Sequence, residues 1–279
     1  MFELLTPRFA RLDDFFGVWA IEPTAGAALA ALFGTPELAA HVRQGVARPQ
    51  PVASTTELVG SGDRRVAVVK AAGTLMKGQS SMGGTSTIQL RRDIRQAAAD
   101  ASVCGILLAV DSPGGTIAGT PELAADIRAA RRKKPVWAHI DDMGASAAYW
   151  VASQADQVFA NHATAGVGNV GTVFAVTDTS EAMAKEGVRV SVFATGPLKA
   201  AGYRGTPLTD EQKAMFQGLV DDAQSHFDTA VKGGRSLTAE QMKAVRTGEL
   251  FTASRAKELR LIDGIRPLEA TLAALLAAK

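Results

Sequence analysis

The sequence predicts an α/β fold organised around a parallel sheet, and three observations carry that prediction. Residues 103–110 (VCGILLAV) form an unbroken apolar run, the pattern of a strand buried on both faces. From 65 to 193, strand-like runs alternate with helix-like ones, as right-handed β–α–β crossovers require. The chain has 279 residues, 47% of them hydrophobic, which suffices for one large domain or one domain with extensions.

Taken in order, residues 1–62 read as an N-terminal extension and linker, and 63–279 as the domain proper. In the extension, Thr24 is placed to cap a short helix over 25–32, and 36–44 reads as a second helix. Residues 48–62, rich in Pro, Ser, Thr and Gly, read as the linker. A short β-branched strand follows at 65–70. Residues 73–87 hold too much Gly and Ser for regular structure, and mobile loops of that composition often lie over binding sites. Ser86 can cap the next helix, which puts Ile88, Ile94, Ala97 and Ala98 broadly on one side. The buried run then ends in Ser112-Pro113-Gly114-Gly115, and 121–132 is a helix with Leu123 and Ile127 four apart. Residues 136–140 read as another buried strand, 141–144 as a turn, and 145–153 as a small apolar helix. Strands are expected at 157–160, 173–176 and 188–193, with a helix at 179–186. After Lys199 the pattern is helical, at 210–232, 238–245, 253–258 and 268–278.

Composition excludes several classes of function. The net charge of +2 and pI near 8.7 are close to balance, and the one basic run, Arg131-Arg132-Lys133-Lys134, reads as a solvated helix end, so nucleic-acid binding is not indicated. The single cysteine, Cys104, lies in an apolar run; it rules out an internal disulfide and a thiolate zinc cluster and fits a reducing compartment. Charges at Glu3, Arg8, Arg11, Asp13 and Asp14 are unlike a signal peptide, and no apolar stretch is long enough to span a bilayer. A soluble, cytoplasmic protein without an integral membrane segment is the expectation.

Ser146 follows a strand and opens a helix, where free N–H groups and the helix dipole stabilise negative charge. A serine so placed can attack a carbonyl while neighbouring amides hold the oxyanion, although most such serines are simple N-caps. The glycines at 114–115 close another buried strand and let backbone N–H groups approach a ligand. If the two strand ends are neighbours, the amide of Gly115 (or Gly114) and that of Ala147 converge on one oxygen. The nucleophile also needs a base. His139 reads as packed. His162, 16 residues after Ser146 (162 − 146 = 16), is the one imidazole candidate, and Lys199 is the other candidate, since a lysine in a dry site readily serves as a neutral base.

Taken together, Gly73-Thr74-Leu75, the run from Ile106 through Asp111-Ser112-Pro113-Gly114-Gly115, Lys134-Pro135-Val136, the run Ala145-Ser146-Ala147-Ala148-Tyr149, Ala155-Asp156, Gly168-Asn169-Val170-Gly171 and Gly196-Pro197-Leu198-Lys199 resemble the signal peptide peptidase A family. These are serine–lysine peptidases of the ClpP/crotonase-like fold, with repeated β-β-α units and a helical C-terminal region. The resemblance covers roughly residues 65–265 and holds the family's order. In single-repeat members the lysine follows the serine by a little over fifty residues; here 199 − 146 = 53. It implies Ser146 as nucleophile, Lys199 as base, Gly115 and Ala147 as oxyanion hole, and Gly114, Thr116 and Met143 as substrate-binding residues. His162 is demoted to a loop residue. No metal or cofactor is implied. Two departures stand out. The family's Ser-Gly-Gly is Ser146-Ala147-Ala148, and its Gly-Ser-Ile-Gly is Gly168-Asn169-Val170-Gly171, which makes Asn169 the lysine-orienting residue in this chain.

Pro135-Val136-Trp137-Ala138, Asp142-Met143 and Glu22-Pro23 carry a likeness to the phage branch of the family, the minor capsid protein C type of head-maturation protease. That likeness implies scaffold or capsid polypeptides as substrate, a ring-like homo-oligomer, and a place in the host cytoplasm or the virion. The competing readings are a cytoplasmic signal-peptide-peptidase-like enzyme degrading peptides, a non-catalytic capsid assembly protein, and acyl-CoA chemistry on the same fold.

Overall fold

The computed structural model describes residues 17–32, 56–62, 64–79 and 84–278; the helix expected at 36–44 and the first part of the expected linker lie outside them. A short strand β1 (Trp19–Ile21) leads into α1 (Pro23–Leu32). Glu22, not Thr24, closes this helix's start: its carboxylate accepts from the Ala25 N–H at 2.9 Å and the Thr24 hydroxyl at 3.1 Å. Residues expected to be linker instead form β2 (Thr56–Ser61), an antiparallel edge on β3 (Arg64–Ala72). Only Thr56 and Val59 of it are half-buried and the rest is exposed, as on a sheet edge, and the Ser/Gly composition hides it.

The Gly/Ser-rich stretch is partly ordered. It supplies β4 (Leu75–Met76) and β5 (Thr85–Ser86), with 80–83 outside the described residues. Ser86 caps α2 (Thr87–Ala99) by accepting from the Gln89 N–H, and Leu90, Ile94, Ala97 and Ala98 form its buried side. Then come β6 (Val103–Ser112), β7 (Gly114–Thr116), α3 (Thr120–Arg131), β8 (Val136–Ala145) and α4 (Ala147–Ala152). The turn expected at 141–144 does not form. Met143, Gly144 and Ala145 continue β8 because they pair in parallel with β10 (Gly166–Gly168), a partner that local sequence does not reveal. Between them lies β9 (Gln157–Ala160), on the first half of β8.

After β10 come α5 (Ser180–Lys185), α6 (Asp210–Gly234), α7 (Ala239–Val245), β11 (Leu250–Thr252), α8 (Ala253–Glu258), β12 (Gly264–Ile265) and α9 (Leu268–Ala277), with 174–179 and 186–209 in irregular structure. The strands expected at 173–176 and 188–193 are absent. Val173 makes one isolated antiparallel bridge, to Trp19, and 188–193 has no partner strand among the described residues. Branched residues favour a strand only where a neighbour completes the ladder.

The main sheet runs β11-β10-β8-β6-β3-β2, with β9 also on β8 and β12 on β9. Its centre, β3, β6 and β8, is parallel, and Ile106, Leu107, Leu108 and Val110 of β6 are buried, as the unbroken apolar run requires. Helices α2, α3 and α4 cover one face. On the other, Leu275 of α9 packs on Val66, Val68 and Leu107. A smaller sheet, β1-β7-β4-β5, stands beside the C-terminal ends of the core strands. This is the ClpP/crotonase-like α/β arrangement.

Candidate active site

Ser146 is the single residue between β8 and α4. Its backbone is at φ 54°, ψ −120°, a left-handed conformation that is strained for any residue with a Cβ. Two bonds hold it there. Its N–H donates to Gly168 O and its C=O accepts from Trp150 N–H, both at 2.8 Å. The side chain is fully buried, and Oγ donates to Gly171 O at 3.3 Å. Ala147 begins the helix, so its N–H has no partner within it.

Gly114 and Gly115 arrive on β7 beside this turn. A Cβ built on Gly114 would lie 3.0 Å from the Ala147 nitrogen and 2.3 Å from Ala20 O, so the two strand ends are neighbours. The Gly114 N–H is taken by Ser112 Oγ at 3.2 Å, and that hydroxyl donates to Gly73 O at 2.6 Å. Of the two glycine amides, this leaves that of Gly115, which in this structure lies in register with Ala20 of β1. Gly115 is needed for space as well, because a Cβ there would come within 1.8 Å of Leu75 O. Thr116 is buried, its hydroxyl donating to Ala118 O at 3.0 Å.

Met143 is half-buried, and its N–H donates to Asp111 Oδ1 at 3.2 Å. Burial pushes the Asp111 carboxyl above its ordinary range; the Met143 N–H opposes that rise, and Asp142 and Asp141 add to it. Asn169, with a positive φ of 51°, is buried. Its Nδ2 donates to Gly248 O at 2.5 Å and its N–H to Glu249 O at 2.8 Å.

Lys199 lies exposed in a turn, its N–H on Gly196 O at 3.2 Å, and among the described residues Nζ has neither a hydrogen-bond nor an ion-pair partner. The structure therefore brings Ser146, Ala147, Gly114, Gly115 and Thr116 together but does not join Lys199 to Ser146 by a hydrogen bond. His162 is committed elsewhere, with Nε2 2.8 Å from Asp142 Oδ1 and Nδ1 2.9 Å from Thr164 Oγ1. His139 is buried, with Nδ1 3.1 Å from Thr271 Oγ1.

Two parts of the site went unseen in the sequence. Ser112 presents the glycine turn, and β1 lies antiparallel along β7, pairing Trp19 with Thr116, Ala20 with Gly115 and Ile21 with Gly114. The Gly-Gly pair at 114–115 signalled a close approach, but nothing local named a partner almost a hundred residues earlier. No group of three or more His, Cys, Asp or Glu among the described residues could hold a metal, and no described helix is long and apolar enough to cross a membrane.

Comparison with known proteins adds the family. Protease 4 of Salmonella typhi is 31% identical over 72% of this chain and 32% of its own length. Capsid assembly protease C of Escherichia phage lambda is 33% identical over 70% of this chain and 46% of its own length. The head-tail preconnector protein GP5 of Enterobacteria phage P21 is 29% identical over 81% and 45%. The chain thus spans less than half the length of each. The model of peptidase family S49 matches residues 128–279, which takes in Ser146, Asn169 and Lys199. A match over more than half of the chain settles its kinship: the protein belongs to peptidase family S49.

Proposed function

We propose that this protein is a serine endopeptidase in which Ser146 is the nucleophile and Lys199 the general base. One observation carries the reading: Ser146 is held buried at a strained φ of 54°, with the Ala147 amide and the Gly114–Gly115 backbone directly beside it. Strain of this kind costs about 1–3 kcal/mol and persists where geometry is needed for chemistry.

In the proposed reaction Lys199 takes the proton of Ser146 Oγ as the oxygen attacks the peptide carbonyl, and the Gly115 and Ala147 amides hold the oxyanion. The C–N bond breaks with the proton passing to the leaving amine, and water activated by Lys199 releases the acyl group. Asn169 supports the base from the Gly168–Gly171 turn. The substrate lies extended along Gly114–Thr116, with Met143 flanking it. Residues 63–279 act as the peptidase domain.

The substrate class we infer is a scaffold or capsid polypeptide, on the likeness to a phage capsid assembly protease. Assembly of copies is part of the proposal. The segment 171–208 is mostly exposed and carries Val188, Val192, Phe193 and Tyr203 on its surface, Phe193 at 96% exposure. A second copy covering these side chains would also hold the Lys199 turn over Ser146.

The test is cleavage of unfolded casein by wild type, Ser146→Ala, Lys199→Ala and His162→Ala. Loss by a factor on the order of 10⁴ or more in Ser146→Ala, and on the order of 10²–10⁴ in Lys199→Ala, is expected, with His162→Ala near wild type. Normal cutting by Lys199→Ala, alongside loss in His162→Ala, would overturn the choice of base.

A further inference from the structure

The lane proposed for substrate already holds a peptide, and it belongs to this chain. β1 is hydrogen-bonded on both sides. On one, Ile117 N–H donates to Val18 O at 3.2 Å and Glu22 N–H to Pro113 O at 2.7 Å. On the other, Trp19 and Val173 exchange a pair of N–H···O bonds, both at 2.9 Å. A strand clasped between two backbones in this way is how an extended peptide binds by strand addition.

Its register matters more than its presence. Ala20 pairs with Gly115, and the Ala20 carbonyl oxygen sits at the point where a Gly114 Cβ would be 2.3 Å from it and 3.0 Å from the Ala147 nitrogen. β1 also packs on α4, the helix that Ser146 opens. Ala20 is fully buried and Ile21 nearly so. The carbonyl of Ala20 thus lies beside the backbone that the peptidase reading assigns to the oxyanion.

Beyond Ile21 the chain behaves unlike a passing substrate. Glu22 C=O accepts from Gly26 N–H at 2.9 Å and its carboxylate caps the start of α1, so the chain leaves the lane at once by turning into a helix. In that helix Pro23, Thr24, Ala27, Ala28 and Ala31 are exposed. A strand of only three residues has few ladder bonds to break when it leaves the sheet.

We propose that Trp19–Glu22 is an intramolecular plug of the substrate lane, laid with Ala20 in the place of the residue before the cut, and that substrate enters only when this strand is displaced. The proposal rests on the peptidase reading of Ser146. Occupancy of the lane lowers apparent affinity in proportion to the fraction of molecules in which it is open.

Two full-length variants loosen the plug without touching Ser146, Lys199 or β7. Trp19→Pro removes the N–H given to Val173, and Ala20→Arg has no room in a fully buried position. Each should raise kcat/KM on unfolded casein by about tenfold or more. Variants with wild-type melting behaviour and wild-type kcat/KM would overturn the proposal. Amide exchange on full-length Ser146→Ala reads the same strand without catalysis. The amides of Trp19 and Glu22, given to Val173 O and Pro113 O, should be protected, and saturating casein should strip that protection. Protection that survives while casein is bound overturns the plug even if the variants misfold. If no form cuts or binds casein, and a fluorophosphonate does not label Ser146, the peptidase reading is what has failed, and the plug falls with it.

Discussion

Ser146 shows how one residue sets the terms for its surroundings. A non-glycine residue at φ 54° and ψ −120° is strained by about 1–3 kcal/mol, whereas glycine at the same place is relaxed but loses about 0.4–1 kcal/mol to the greater freedom of the unfolded chain. Ser146→Gly is therefore expected to be about 1 kcal/mol more stable than wild type in urea unfolding and inactive on casein. Gly115 makes the opposite case. Its Cβ would meet the carbonyl oxygen, carbon and nitrogen of Leu75 at 1.8, 2.6 and 2.8 Å, all backbone atoms that no rotamer change can move. Gly115→Ala should lower the urea midpoint by the equivalent of about 2 kcal/mol or more, a loss of stability as well as of activity.

At the scale of elements, α4 is held by what packs on it. Trp150 stacks on Phe227 of α6 at 4.7 Å between ring centroids and 11° between planes, and both rings are buried. Phe227→Ala should cost about 3–5 kcal/mol in urea unfolding. The opposite face of the sheet depends on α9, where His139 of β8 meets Thr271. Burial pushes the His139 imidazole below its ordinary 6.5; Asp141 and Glu269 pull it up, and Arg266 pushes it down further. A folded pKa below the unfolded one means that the folded state resists protonation, so this contribution is whole above about pH 6.5 and is lost as the pH falls through the lower folded value. Urea midpoints measured from pH 8 to pH 5 should decline in wild type and decline less in His139→Gln.

At the scale of the whole molecule, the proposed assembly through the exposed apolar residues of 171–208 predicts a concentration dependence. Phe193→Ser should shift the sedimentation coefficient toward that of a single chain and lower casein cleavage per chain at dilute protein. Unchanged sedimentation at every concentration would remove the assembly argument. Val173, at the start of this stretch, bridges Trp19 of β1.

Much of this fold was legible in the sequence by itself. The run at 103–110 reads as a strand buried in a parallel sheet and is one, and the helices at 121–132, 210–232, 253–258 and 268–278 sit within two residues of their expected bounds. Hydrophobic period and capping residues are local signals, and local signals suffice for elements of that length. The candidate site was legible as residue types at fixed spacing: Gly-Gly at a strand end and Ser146 before a small apolar helix. What only tertiary structure decided is which backbones meet. The extension of β8 through 141–145, the loss of the strands at 173–176 and 188–193, the recruitment of 56–61 as an edge, and the placing of Ala20 against Gly115 all depend on a partner far away in the chain. A strand is half of an interaction, and sequence read locally contains only its own half.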